Sequence, residues 1–312
     1  MHFCRRACLL ALSFAGVAVA APYKIGVLLK DKTPGYWTYA AKGAQEAGKA
    51  LGADLVIKAP PTVLDVNAQR LLLQALAKEN IQALVIGATN PEQLEPAVAE
   101  FAAKGVKIVT LDTPLKDGLA NTFVAVDHAA AGDATARYFS SLIKDGDEVC
   151  ILRNNGLDRP VLERERKFFD VMKETHSNLI LHGDIYASSE KDSEEDRARM
   201  LLEKYPNSKA VFASATRGTL ALIKVAREKN LVGKIKIVGF GTYFPAEASA
   251  AMDDGLLIGW MAQLPKDLGT KGVESAVALL SGKEVPAVVR PASILITKAN
   301  VKDPQIQAQL QP

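Results

Sequence analysis

Asp112 closes an apolar and β-branched run, Val109-Thr110-Leu111. A carboxylate there can accept two hydrogen bonds from neighbouring hydroxyls, the chemistry needed to hold a polyol. The alternative is a turn-capping Asp ahead of Pro114. Tyr36 and Trp37 follow Thr33-Pro34-Gly35. Aromatic rings at such a place can lie on the apolar face of a furanose or pyranose and exclude water while its hydroxyls are bonded elsewhere. One of the two rings is expected to pack beneath its helix instead. Lys30 directly follows Ile25-Gly26-Val27-Leu28-Leu29 and offers a cationic donor, although most lysines are simply solvated. These are groups for recognition rather than reaction. Asp127-His128 invites metal or acid–base chemistry, but only four His occur in the chain, and no His-x-x-x-His, Cys-x-x-Cys or Gly-x-Ser-x-Gly is present. No metal or cofactor is expected. The stretch 30–35 lacks the Gly-x-Gly-x-x-Gly and phosphate-loop patterns of nucleotide binders.

The elements that must position these groups alternate. Ile25–Leu29, Leu55–Ile57, Ala83–Gly87 and Val106–Leu111 read as strands buried on both faces. Helical spacing fills the intervals Tyr39–Leu51, Val66–Glu79 and Pro91–Lys104. The pattern restarts after residue 127, with helices over Ala129–Lys144, Leu162–Thr175, Ser193–Lys204 and Gly218–Lys229. Strands stand between and after them at Glu148–Leu152, Leu179–Leu181, Ala210–Ala213 and Ile235–Phe240. Continuous apolar strands separated by helices predict parallel sheets covered on both faces, so the fold class is α/β with two doubly wound lobes. Ligand-binding loops then lie at the carboxyl ends of the strands, where Lys30 and Asp112 stand. Two such edges facing each other make a cleft.

The chain of 312 residues opens with two arginines in Met1 to Arg6, an apolar run from Leu9 to Val19, and Ala18-Val19-Ala20 at the cleavage positions. This predicts an exported chain whose signal peptide is residues 1–20 and whose destination is the periplasm. About 290 residues remain, more than one core usually holds. Cleavage also removes Cys4 and Cys8 and leaves Cys150, a thiol in an apolar strand that reads as buried and inert. With 38 basic and 35 acidic residues the net charge is +3. No basic stripe interleaved with aromatics appears, so nucleic acid is not an implied partner.

The motifs carry a family resemblance over essentially the whole mature chain. Lys24–Leu28, Tyr36-Trp37 with Lys42-Gly43-Ala44-Gln45, Val109–Asp112, Ala210–Ala213, Val238-Gly239-Phe240, Ala262-Gln263-Leu264-Pro265 and Lys271-Gly272-Val273-Glu274 together resemble ribose-binding proteins and their relatives. The resemblance implies a type I periplasmic binding protein, without catalysis, with lobes joined by a three-strand hinge. The crossings fall near Val126-Asp127, Ala262-Gln263 and Pro291-Ala292. The first lobe is then 21–126 with 263–291, and the second 127–262 with 292–312. Gln263 and Asp127-His128 become hinge residues, Gln263 with an amide that can also reach the ligand.

The departures point away from a ribose-type site. Gly241 stands where sugar binders of the family carry an Asp, and Ser214-Ala215-Thr216 where they carry an Asn-Asp pair. Binders of autoinducer-2 and rhamnose-type sugars are the more similar sub-branch: Lys30 after the first strand, Pro61-Thr62 after the second, Asp112, and Asp158-Arg159 after the strand of the second lobe. The site set implied is Lys30, Tyr36, Trp37, Asp112, Asp158, Arg159, Ser214, Thr216 and Gln263. The expected function is capture of a small polar ligand by hinge closure and delivery to an inner-membrane ABC permease. The alternative partner is the periplasmic domain of a sensor kinase or chemoreceptor. A periplasmic enzyme using Asp112 and Asp158 as an acid/base pair is the rival of a different class, and nothing in the sequence poises that pair.

Overall fold

The computed structural model describes residues 22–33, 35–63, 65–154, 159–185 and 193–310. Its first half runs β1 (Lys24–Leu28), α1 (Tyr36–Leu51), β2 (Asp54–Lys58), α2 (Val66–Leu76), β3 (Ala83–Ile86), α3 (Pro91–Ala103), β4 (Lys107–Leu111) and β5 (Thr122–Val124). The second follows with α4 (His128–Ser140), β6 (Glu148–Leu152), α5 (Arg159–Thr175), β7 (Ile180–His182), α6 (Glu194–Lys204), β8 (Ala210–Ala213), α7 (Thr216–Glu228), β9 (Lys236–Gly241), α8 (Ala246–Asp253) and β10 (Leu257–Gln263). The chain closes with α9 (Pro265–Leu280), β11 (Val288–Val289), β12 (Ser293–Ile296) and α10 (Pro304–Leu310).

The strands form two six-stranded sheets, ordered β11-β5-β4-β3-β1-β2 and β12-β10-β9-β8-β6-β7. Every pairing is parallel except that of β10 with the edge strand β12. Each sheet is buried on both faces, as the unbroken apolar runs of β3 and β8 require. In the first lobe one face packs under α1 and α9, the other under α2 and α3. In the second, α4 and α5 cover one face and α6, α7 and α8 the other. These are two doubly wound α/β lobes. The chain passes between the sheets after β5, after β10 and after β11.

Helix packing in the first lobe is set by glycines. A Cβ on Gly269 of α9 would stand 1.8 Å from the Ala40 carbonyl oxygen of α1, and one on Gly43 of α1 1.9 Å from that of Lys266. Only hydrogen at both positions lets the two backbones touch, and that contact seats α9 beside the helix that carries Tyr36 and Trp37.

Four helices, α1, α4, α5 and α7, start earlier than hydrophobic periodicity predicts. α1 begins at Tyr36 because Thr38 Oγ1 accepts the Gly35 N–H at 3.0 Å and donates to the Gly35 carbonyl at 2.9 Å. Asp127 caps α4 by accepting the Ala130 N–H at 2.8 Å. Caps are polar and leave no mark in an apolar pattern.

Candidate functional site

At the cleft edge of the first lobe, Lys30 follows β1 and Asp112 follows β4. Their side chains meet, Lys30 Nζ lying 2.5 Å from Asp112 Oδ2 and also donating to the Thr113 hydroxyl. Asp112 holds a left-handed backbone, φ 63°, which a short acid tolerates better than most residues. Its own N–H is fixed to the Val124 carbonyl at 2.9 Å. The Lys30 ammonium also stands 5.3 Å from the Trp37 ring centre. Trp37 is buried against Gly87, where a Cβ would fall 2.8 Å from the indole. Behind this surface Gln69 is wholly buried and bonds four times: Nε2 donates to the carbonyls of Leu29 (2.9 Å) and Gly87 (2.8 Å), while Oε1 accepts the N–H and hydroxyl of Thr89. That amide ties the ends of β1 and β3, and so sets where Lys30 leaves its strand.

The second lobe presents side chains from helices. Arg164 of α5 lies 3.9 Å over the Phe240 ring and donates from Nε to the Ser214 carbonyl at 3.0 Å. Its Nη1 meets His128 Nδ1 at 3.1 Å. Burial first, then the Arg164 charge, hold His128 down to a pKa of about 4, so the imidazole is neutral at ordinary pH. Tyr36 feels both lobes: burial and nearby Asp112 push its phenol well above the usual value, while Arg164 from the other lobe opposes them.

Between the lobes these groups line a small cavity of about 170 Å³, formed by Tyr36, Trp37, Asp112, His128, Pro160, Arg164 and Gln263. It adjoins a wider cleft of about 1310 Å³ through the shared residues Asp112, His128 and Pro160. The wider part is bordered by Lys30, Thr89, Glu92 and Glu95 on one rim and Arg159, Glu163 and Arg166 on the other.

This two-lobed frame has counterparts. The periplasmic binding protein domain matches residues 25–284. The chain belongs to that family. It is 26% identical over 303 residues to the D-allose-binding periplasmic protein of Escherichia coli (strain K12), covering 93% of this chain and 96% of that one. To the ribose import binding protein of the same organism it is 25% identical over 295 residues, covering 89% and 94%. A carbohydrate transporter solute binding protein from Agrobacterium radiobacter, solved with D-arabinose, is 28% identical with a TM-score of 0.75, covering 94% and 100%. The fold is also that of a periplasmic ribose ABC transporter protein from Conexibacter woesei, with a TM-score of 0.81 at 18% identity and coverage of 94% and 98%.

Within this periplasmic binding protein frame, Tyr36, Trp37, Asp112 and Gln263 converge on the inner cavity, and Lys30 and Arg159 on the outer cleft. Of the aromatic pair, Trp37 is the ring that packs into the lobe. Ser214 and Thr216 line neither space. The Ser214 hydroxyl is wholly buried and donates to Glu165 at 2.6 Å, and Thr216 accepts the Thr242 N–H at 3.2 Å. Both bond within their own lobe, Ser214 as part of a network around Glu165 that also takes Arg153 Nε at 2.8 Å. Asp158 lies outside the described residues. Of the inner-cavity lining, Arg164, His128 and Pro160 lie outside the site set read from the sequence, as do rim residues such as Thr89, Glu92, Glu95, Glu163 and Arg166. The signal for Arg164 was the triplet Arg159, Arg164, Arg166, whose helical phase only the packing against Phe240 resolves.

Gly241 also finds its reason. A Cβ there would fall 1.9 Å from Trp260 Cζ2, and Trp260 is fully buried with Phe244 edge-on to it. The indole takes the space that a side chain at the end of β9 would need.

A triad-like chain stands elsewhere, with Ser140 Oγ 2.8 Å from His176 Nε2 and His176 Nδ1 3.0 Å from Asp145. Ser140 ends α4, where carbonyls rather than N–H groups point outward, and Nε2 also lies 3.3 Å from the Ser140 carbonyl. A helix C-terminus offers no donors for an oxyanion. The arrangement serves to hold the helix end.

Proposed function

We propose that this protein is a periplasmic solute-binding protein that captures one small sugar between its lobes and hands it to an inner-membrane ABC importer. One observation carries the reading: a small pocket between the lobes is lined by Tyr36 and Asp112 of the first lobe and by His128 and Arg164 of the second. A ligand there touches both lobes at once, so it favours the closed form by contacts the open form lacks. The lobes comprise 21–126 with 263–291 and 127–262 with 292–312, residues 1–20 being removed on export. Relatives named for D-allose and ribose, and one solved with D-arabinose, support a monosaccharide as the ligand class.

The chemistry narrows that class. Asp112 already accepts from Lys30, so the first lobe offers an ion pair rather than a free acid. Neither Gly241 nor Ala215 supplies an acceptor from the second lobe. This favours a ligand with fewer hydroxyl donors than ribose, such as a deoxy-sugar or a furanose of the autoinducer-2 kind. A thermal-shift screen followed by calorimetry over D-allose, D-arabinose, D-ribose, 6-deoxyhexoses and autoinducer-2 tests both levels. One-to-one binding of a compact sugar other than ribose, at micromolar affinity or tighter, is expected. Tight ribose binding overturns the narrower choice. Failure of every sugar overturns the reading itself.

A further inference from the structure

We propose that His128 determines specificity by presenting a fixed Nε2–H donor to an oxygen of the ligand, a role that rests on the cleft reading above and extends it. His128 is the first residue of α4, where the chain has just entered the second lobe, and it is 8% exposed. It borders both the inner cavity and the outer cleft. Its tautomer follows from its neighbour. Arg164 Nη1 stands 3.1 Å from Nδ1, and a guanidinium can only donate, so Nδ1 must accept and the ring proton must sit on Nε2.

Arg164 cannot easily turn away to relax this choice. Its plane lies on Phe240 at 3.9 Å, and its Nε is spent on the Ser214 carbonyl. Among the hydrogen bonds of the described residues none involves Nε2, which leaves that N–H to whatever fills the cavity. The charged groups facing the ring are Arg164 on α5, Asp112 after β4, Asp127 at the cap of α4, and Arg290 after β11. Burial and the two arginines outweigh the two acids, so the neutral ring persists to about pH 4.

The consequence is chemical. The ligand atom opposite Nε2 must be an acceptor: a ring ether, a carbonyl or a hydroxyl oxygen. A methyl or ammonium group at that point leaves the donor unpaired, and a site built for hydrogen bonds rejects such an analogue sharply.

Two measurements test this. Imidazole-¹⁵N NMR of the ligand-free protein should show Nε2 protonated, Nδ1 accepting, and no titration of His128 above pH 5. An Nδ1–H tautomer or an ordinary titration midpoint overturns the proposal. Calorimetry then compares wild type with His128→Asn, which keeps an acceptor near Nδ1 and removes Nε2–H, and with His128→Gln, which restores an N–H near Nε2. With whichever of D-arabinose, D-allose or L-rhamnose binds wild type, His128→Asn should lose about tenfold in affinity, the scale of one buried hydrogen bond, and His128→Gln should regain part of it. Equal affinity of wild type and His128→Asn, with unchanged melting temperature, contradicts the role. If none of these three binds wild type, any other member of the screen that does bind takes their place; if no sugar binds at all, the functional reading fails instead, and the NMR result still decides the tautomer.

Discussion

In the first lobe the charged cleft groups stand at strand ends: Lys30 follows β1 and Asp112 follows β4, locked to each other at 2.5 Å. In the second lobe the groups that reach the cavity ride on helices, Arg164 inside α5 and His128 at the head of α4. The two sheets have the same strand order and differ only in the sense of one edge strand, yet one lobe offers a closed ion pair and the other an arginine–imidazole pair steadied by an aromatic ring. The comparison teaches where variation can enter such a fold. Strand ends fix a side chain by register, whereas a helix face fixes it only through what the helix packs on.

That packing is the place to break the comparison most severely. Gly269→Ala should cost about 3 kcal/mol or more in urea unfolding, because its Cβ meets the backbone oxygen of Ala40 and neither helix can shift without moving its sheet. Gly132 of α4 plays a matching part in the second lobe, its Cβ position lying 2.4 Å from the Arg164 carbonyl. Gly132→Ala should therefore cost a similar or slightly smaller amount, and should also weaken sugar binding by displacing Arg164. Loss of stability without loss of affinity in Gly132→Ala would separate the helix contact from the site.

Acid sharpens the same contrast. The folded protein holds His128 at about 4 against an ordinary value of 6.5. A base with a depressed folded value contributes stability that is fully present above pH 6.5 and is lost as pH falls toward 4. The loss should reach about 3 kcal/mol, because each tenfold weakening of proton binding in the folded state corresponds to about 1.4 kcal/mol. His128→Asn should flatten that part of the pH–stability curve. An unchanged curve would mean that the ring is not held neutral by the fold.

Much of this architecture is legible in the sequence, for a physical reason. Strands covered on both faces must be apolar throughout, so Ile25–Leu29, Ala83–Gly87 and Ala210–Ala213 stand out as runs. Residues that follow such runs, Lys30 and Asp112, are placed at the sheet edge by that fact alone, and the structure brings these two together. Helical residues carry no such address. Arg159, Arg164 and Arg166 differ in sequence only by phase, but Arg164 is buried over Phe240 while Arg159 and Arg166 are exposed. Ser214 was drawn toward the ligand by its place after β8, and its hydroxyl instead serves Glu165, a partner 49 residues away that no local pattern announces. The short strands β5 and β11 escape notice because their pairing, not their composition, defines them.

Smaller effects separate the two lobes further. Asp112→Ala should lower sugar affinity at least tenfold, about 1–3 kcal/mol for a lost acceptor, while the protein stays folded; affinity within twofold of wild type by calorimetry would make Asp112 a turn residue. Ser214→Ala should cost about 1.5–3 kcal/mol of stability, one hydrogen bond to a buried charged partner, and leave sugar affinity unchanged. A clear affinity loss there would return Ser214 to the cleft.

Capture by closure requires the ligand to be gripped by both lobes at once. Small-angle X-ray scattering of the processed protein, with and without whichever sugar of the screen raises its melting temperature most, reads this directly. Closure predicts a smaller radius of gyration with sugar bound, and in Asp112→Ala the same contraction only at sugar concentrations at least tenfold higher. An identical scattering curve with sugar verified to be bound would contradict capture by closure.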